Sequence, residues 1–421
     1  MLYLINNYNF MAIKKTKVIV DEEKINDILS RGVEDIIDKE ELRKDLMSGV
    51  ELRIKLGIDP TGPKLHLGRA IPLRKLREFQ KLGHQVVLIV GDFTAQIGDA
   101  SDKSEKRPML TRQEIDENLK DYKNQIGKIL DLSKTEFVYN NDWLSKLTFS
   151  ELIKLSECFS VQQMLARRNF KERFEDGKEI SLREFLYPIM QGYDSVEVKA
   201  DVELGGFDQL FNLKAGRIIQ DYYGMKKQHI LTCEMLEGTN GVKMSTSQGN
   251  IISIVDDPDD MFGKIMAMKD ELIVKYLKLC TDANYEDLAN AEKFLADKNN
   301  NPRDLKLKLA RDIVELYHNE KVAMKAESNF IETFQKGGIP DNISQIFVKE
   351  EEKELDLVEI VVKNNFVKSK SEWKRLVETN SVKEILEEGD EIKEKTLTDY
   401  KVKVFPAIFK IGKKKFVKII L

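Results

Sequence analysis

The chain has 421 residues, 42% hydrophobic and 33% charged, with 68 Lys+Arg against 72 Asp+Glu and a formal net charge of −4. That length allows two or three domains with cores large enough to stand without disulfides, and the apolar content excludes an overall disordered chain. Near-neutral charge excludes a uniformly basic protein while leaving room for local basic faces, and three scattered cysteines, Cys158, Cys233 and Cys280, exclude a disulfide framework or a Cys-x-x-Cys metal site.

The opening MLYLINNYNF is broken by asparagines and lacks a basic start, so it fits no signal peptide. Met11, followed by AIKK, is an alternative start that would make residues 1–10 a dispensable tail. No apolar run approaches the ~18 residues of a membrane helix, and a cytoplasmic protein with no membrane partner is expected. Residues 51–60, ELRIKLGIDP, predict a strand running into a loop at Gly57 and Pro60. From Leu65 to Lys81, apolar residues at Leu67, Ala70, Ile71, Leu73, Leu76 and Phe79 predict a helix, stopped by Gly83–His84. VVLIVGD, residues 86–92, is a continuous apolar run and predicts a buried parallel strand. Strand, helix and strand make a βαβ unit, so an α/β fold with a parallel sheet is expected.

Further strands are predicted at 136–139, at 196–204 running into Gly205-Gly206, and at 229–236, with helices over 143–175 and 208–223. The α/β pattern ends near residue 255, and a charged helical region follows from Pro258 to about Gly337. Residues 338–354, with Gly-Ile-Pro and then KEEEKE, suggest a linker. From about 355 to 421, short helices give way to Val/Ile/Phe-rich strands.

Three motifs carry chemistry. The first is Gly57-Ile-Asp59-Pro60-Thr61 followed by Leu65-His66-Leu67-Gly68-Arg69, a strand, a loop and a helix start. A helix N-terminus with a small residue and a hydrogen-bond donor suits a phosphate. The second is Val242-Lys243-Met244-Ser245-Thr246-Ser247, a polar loop with one cation. The third is Tyr187, Gln191 and Asp194 at i, i+4 and i+7, which share one helix face. A hydroxyl, an amide and a carboxylate converging there can bind an ammonium and a phenol.

Taken together, the first two motifs resemble the two signature loops of class I aminoacyl-tRNA synthetases. The third resembles the Tyr-x3-Gln-x2-Asp helix of the tyrosyl-tRNA synthetases, and Gly91-Asp-Phe-Thr94 through Gly98-Asp99 and Gly205-Gly206-Phe207-Asp208-Gln209 fall where that family has them. The resemblance implies a Rossmann-like catalytic domain over 1–255, an α-helical anticodon-side domain over 256–340 and a small α+β RNA-binding domain over 352–421. It implies ATP-dependent joining of tyrosine to its tRNA through an adenylate, Mg²⁺ brought with ATP, and a homodimer. Thr61, His66 and Lys243 would be catalytic. Gly57, Asp59, Gly68, Arg69, Gly206, Asp208, Met244, Ser245 and Thr246 would meet ATP. Thr94, Asp99, Tyr187, Gln191, Asp194 and Gln209 would hold tyrosine. No protein metal cage is visible.

The chain departs from the family pattern at four positions. Arg69 replaces the second signature histidine and Thr246 the second loop lysine, while Phe207 and Leu210 replace a usual Thr or Ser and a usual basic or aromatic residue. Two alternatives stand beside the main reading: a tryptophan-activating relative, which shares the fold and both signature loops, and a catalytically weakened RNA-binding paralogue, motivated by Arg69 and Thr246.

In the tail, Ser369-Lys370-Ser371-Glu372 has capping spacing, with Trp373, Leu376 and Val377 on one face. Lys370, Lys374 and Arg375 are then free to meet phosphates, and the last 21 residues hold seven lysines and no acid. This helix resembles the small RNA-binding domain of bacterial tyrosyl-tRNA synthetases.

Overall fold

The computed structural model describes residues 17–99, 109–245, 249–335, 343–349, 352, 354–388, 391–412 and 415–421. Thr246 and the tail at residues 1–10 lie outside them. The described residues form two compact units. One runs to Asp257 and also takes up Lys264–Tyr317; the other combines Pro258–Gly263 with His318–Leu421.

The first unit is built on six strands: β1 (Val33–Ile37), β2 (Arg53–Ile58), β3 (Gln85–Val90), β4 (Thr135–Tyr139), β5 (Val202–Gly206) and β6 (His229–Cys233). They lie in the order β1-β6-β5-β2-β3-β4, all parallel except the edge strand β1, which runs antiparallel to β6. Helix α1 (Leu67–Lys81) joins β2 to β3 as expected and buries Leu67, Ala70, Ile71, Leu73, Leu76 and Phe79. β3 is buried along nearly its whole length, which is why its sequence is a continuous apolar run.

Helix α2 (Leu182–Glu197) carries Tyr187, Gln191 and Asp194, and α3 (Leu210–Tyr222) packs on it. A Cβ on Gly192 would stand 2.9 Å from the Ala215 backbone, so the two helices touch closely there. The start of α2 is held by a buried pair, Arg173 to Glu184 at 2.9 Å. Val196 and Glu197, expected in a strand, belong to this helix. It ends where Lys199 takes a left-handed conformation, φ 52°, and the strand starts only at Val202. The expected helical stretch 143–175 is broken into short helices, because Thr148 and Ser160 each start a new one with a capping box.

Between 256 and 335 the described residues hold helices and no strand. The second unit also contains β7 (Ser344–Phe347), β8 (Val382–Glu388), β9 (Glu391–Thr396), β10 (Ala407–Ile411) and β11 (Lys415–Ile420), ordered β7-β11-β10-β8-β9. Residues 344–347, expected in a linker, instead pair parallel with β11. Two helices, α4 (Leu357–Lys363) and α5 (Lys370–Glu378), close a core around Trp373, Phe409 and Val417. The Ser369 hydroxyl caps α5 by accepting from the Glu372 N–H, and the Trp373 indole N–H donates to the Tyr400 carbonyl at 3.0 Å. Among the described residues no helix is long and apolar enough to cross a membrane.

Candidate active site

The chain leaves β2 for β3 and β4 on one side and returns to β5 and β6 on the other. In a parallel sheet this reversal opens a crevice beyond the carboxyl ends of the strands. A cavity of about 530 Å³ lies there. It is lined by Gly57, Asp59, Thr61, His66, Gly68, Arg69, Thr94, Asp99, Tyr187, Gln191, Asp194, Gly206, Asp208, Gln209, Lys243, Met244 and Ser245. The three sequence motifs, far apart in the chain, therefore meet in one cavity.

On one side a hydrogen-bonded group centres on two carboxylates. The Tyr187 hydroxyl donates to Asp59 at 2.9 Å, and the Thr94 hydroxyl donates to the other oxygen of Asp59 at 2.7 Å. Gly91 is required here, because a Cβ would fall 2.0 Å from Asp59 Oδ1. Asp59, expected beside ATP, is thus bonded to two residues expected beside tyrosine. Asp194 is buried, and burial pushes its carboxyl up to about 7. The Trp143 indole N–H donates to one of its oxygens at 2.8 Å, and the Asn140 amide to the other at 3.3 Å. Burial, with Asp59 close by, holds the Tyr187 phenol well above its ordinary value, so it stays a donor. Asp99 accepts from the amides of Gln209 and Asn212, at 3.4 Å and 3.3 Å.

On the other side stand cations. His66 is the N-cap of α1, and its segment is tied across to Ser253 by an antiparallel bridge. Burial first, then the charges of Arg69 and Lys243, lower its imidazole to about 3. His66 is therefore neutral, and its buried Nδ1 has no hydrogen-bond partner. A Cβ on Gly68 would press on this ring at 3.1 Å, so glycine makes room for it. Arg69, at the position of the second signature histidine, donates to the hydroxyls of Thr61 and Tyr122. Lys243 donates to Asp208 at 2.8 Å, and Ser245 N–H donates to the buried Asn250 at 2.9 Å. Asn250 in turn donates to the carbonyls of Val242 and Lys243, holding the loop in register.

Sequence reasoning missed several of these groups. In the sequence Asn140 is only part of a loop after the predicted strand 136–139, and Trp143 only the start of the predicted helical stretch 143–175, although a polar residue directly beyond a parallel strand is placed to face a ligand. A buried pair, Lys55 to Glu203 at 2.8 Å, sits inside two central strands and has no local signal in the sequence. In the second unit, Lys370, Lys374 and Arg375 lie on α5 and are exposed. Lys370 pairs with Glu359 at 2.6 Å, and Lys374 lies over the Tyr400 ring at 5.1 Å.

Residues 47–335 match the family model of class I tRNA synthetases of the tryptophan and tyrosine type. A tyrosine–tRNA ligase of Thermotoga maritima is 46% identical over 402 residues, covering 94% of this chain and 97% of that protein. One from Carboxydothermus hydrogenoformans is 45% identical over 410 residues, covering 95% and 99%. Among solved structures, the tyrosyl-tRNA synthetase of Archaeoglobus fulgidus complexed with L-tyrosine has a TM-score of 0.59 at 21% identity, covering 73% of this chain and all of that one. A truncated mitochondrial tyrosyl-tRNA synthetase of Aspergillus nidulans has a TM-score of 0.61 at 21% identity, covering 74% and 94%. These two share the fold, and the closer sequence relatives extend the likeness over nearly the whole length. The chain belongs to the tyrosyl-tRNA synthetase family of class I aminoacyl-tRNA synthetases.

Proposed function

We propose that this chain is a working tyrosine–tRNA ligase, and that the cavity beyond β2 and β5 holds tyrosine on the Asp194 side and ATP on the His66 side. The observation that carries this is Asp194, a buried carboxylate with one protein donor on each oxygen and lone pairs left for a phenol hydroxyl. The tyrosine carboxylate attacks the α-phosphorus of ATP and pyrophosphate leaves. A terminal ribose hydroxyl of tRNA then attacks the tyrosyl carbonyl and AMP leaves. No protein nucleophile is needed, because positioning and charge stabilisation supply the rate.

Each assigned residue has a role its chemistry supports. Thr94, Asp99, Tyr187, Gln191 and Gln209 surround the amino-acid ammonium and carboxylate. Asp59 joins the two substrates. Arg69 and Lys243 place positive charge against the phosphates, and neutral His66 adds a hydrogen bond without a third cation. Gly57, Gly68, Gly206, Asp208, Met244, Ser245 and Thr246 complete the nucleotide side, with Thr61 oriented by Arg69. Magnesium enters with ATP as part of the substrate. No group of three or more His, Cys, Asp or Glu among the described residues could hold it independently.

The functional division is a catalytic part over 1–255, helices to about 340, and an RNA-binding part over 352–421. Its support is the exposed Lys370, Lys374 and Arg375 opposite the buried face of α5. A homodimer is supported by exposed apolar side chains such as Phe149 at 79% and Leu182 at 80% exposure, which a second copy would cover. The three free thiols fit a reducing compartment such as the cytoplasm. Tryptophan activation and a merely RNA-binding role are the readings this assignment displaces.

Amino-acid-dependent ATP–pyrophosphate exchange tests the assignment. Exchange is expected with tyrosine, and at least about fivefold less with phenylalanine, because an unmatched buried acceptor costs about 1–3 kcal/mol. Exchange driven by tryptophan, or no exchange at all, would contradict it.

Stability should carry the mark of Asp194. Its carboxyl ionises near 7 when folded against an ordinary 3.8, so the folded state holds the proton more tightly. Its cost to stability therefore grows as pH rises from about 4 to about 7 and is constant above. Asp194→Asn should gain thermal stability over the parent across that window. A margin that does not vary between pH 4 and pH 8 would contradict the burial argument.

Deleting the C-terminal part should separate the two half-reactions. Because β7 joins the C-terminal sheet, the deletion should begin at residue 343. A folded truncation should form adenylate at a near-normal rate, charge tRNA poorly and bind it with a shallower salt dependence. Equal charging with and without the tail would refute the RNA role.

A further inference from the structure

We propose that the buried Lys55–Glu203 pair is the positioning element of the amino-acid pocket: it sets which end of the Gln191 amide faces the cavity and places a fixed positive charge beside Asp194. This rests on reading Gln191 and Asp194 as tyrosine-side residues.

Neither Lys55 on β2 nor Glu203 on β5 lines the cavity, and both are fully buried. Parallel strands are usually apolar at such places, so a lysine and a glutamate facing each other there need a reason beyond packing. The ammonium uses three donors: to Glu203 at 2.8 Å, to the Ser195 hydroxyl at 2.7 Å and to the Gln191 backbone carbonyl at 2.9 Å. Glu203 in turn accepts from the Gln191 side-chain amide at 3.0 Å, from Ser195 at 3.1 Å and from Gln228.

A carboxylate can only accept, so the Gln191 atom facing it must be the NH₂. That fixes the amide the other way round at the cavity, with its carbonyl oxygen as the group left for a substrate ammonium. The pair grips Gln191 and Ser195, which bracket Asp194 on α2. The groups that face Asp194 are Lys55 from β2, Glu203 from β5, Trp143 and Asn140 from the segment after β4, and Tyr187 from its own helix. Lys55 favours the ionised carboxylate and Glu203 opposes it, the lysine more strongly.

The test uses the full-length enzyme with Lys55→Met/Glu203→Gln, which removes both charges without stranding either, and with Glu203→Gln alone, which has the same size and removes only the anion. Steady-state exchange kinetics against tyrosine are measured from pH 5 to pH 9 on variants shown to be folded. Both variants should raise the tyrosine KM by about tenfold while kcat and the ATP KM stay within about twofold. The pH inflection of kcat/KM for tyrosine should move up in the double variant and down in Glu203→Gln, since one loses the dominant cation and the other only an anion. A structural role alone would not produce opposite shifts.

Asp194→Asn is the control for the underlying reading. If it loses the preference for tyrosine over phenylalanine while the pair variants keep the parental KM and inflection, the positioning role is overturned and the pocket reading stands. Should Asp194→Asn also keep the preference, the pocket reading fails and the positioning role with it. If the double variant does not fold, Glu203→Gln decides on the same criteria.

Discussion

A carboxylate carried out of water has to be surrounded by donors, and the layout of the catalytic unit follows from meeting that demand at Asp194. The sheet order brings β2 and β5 side by side, and α2 is tied to both through Gln191 and Ser195, which bond to Lys55 and Glu203. Close packing at Gly192 and the Arg173–Glu184 pair hold that helix so that its polar face points into the crevice instead of toward solvent. Trp143 and Asn140 then arrive from the end of β4 with one donor each. Loosening any of these would let water reach the carboxylate and weaken the discrimination of a hydroxyl from a hydrogen that is proposed for it.

The opposite side of the cavity solves a different problem, that of concentrating positive charge without forcing it together. Two cations, Arg69 and Lys243, flank an imidazole that burial and their own fields keep neutral. Each cation is also held by oxygens, Arg69 by two hydroxyls and Lys243 by Asp208. The phosphates of the ATP proposed to bind here would replace such partners, an arrangement that sets the donors in place before an anion arrives. An arginine in place of the second signature histidine fits this scheme, because a guanidinium is always charged and brings several donors to the site.

Much of this was legible in the sequence where a local pattern coincides with a tertiary demand. Tyr187, Gln191 and Asp194 share a face because a helix has 3.6 residues per turn, and the cavity meets that face. The glycines and histidine at the start of α1 were legible for the same reason. What escaped depends on partners distant in the chain. Residues 344–347 are short and flanked by charge, and only pairing with β11 about seventy residues later makes them a strand. Lys55 and Glu203 have no charged partner within their own segments that would mark them as a pair, since nothing local says that β2 and β5 lie side by side. Asn140 reads as an ordinary loop residue and Trp143 as an ordinary helix residue, because only the fold turns both toward Asp194. The end of α2 was misplaced because a left-handed lysine, and not a glycine, stops the helix.

The central claim is that the cavity recognises a phenol hydroxyl through Asp194 before any chemistry occurs. Calorimetric titration of the full-length protein with tyrosine and with phenylalanine, in the absence of ATP, measures this directly. Tyrosine should bind at least about fivefold more tightly than phenylalanine, the equivalent of about 1 kcal/mol at the low end of an unmatched buried acceptor. Equal affinity for the two amino acids would contradict it.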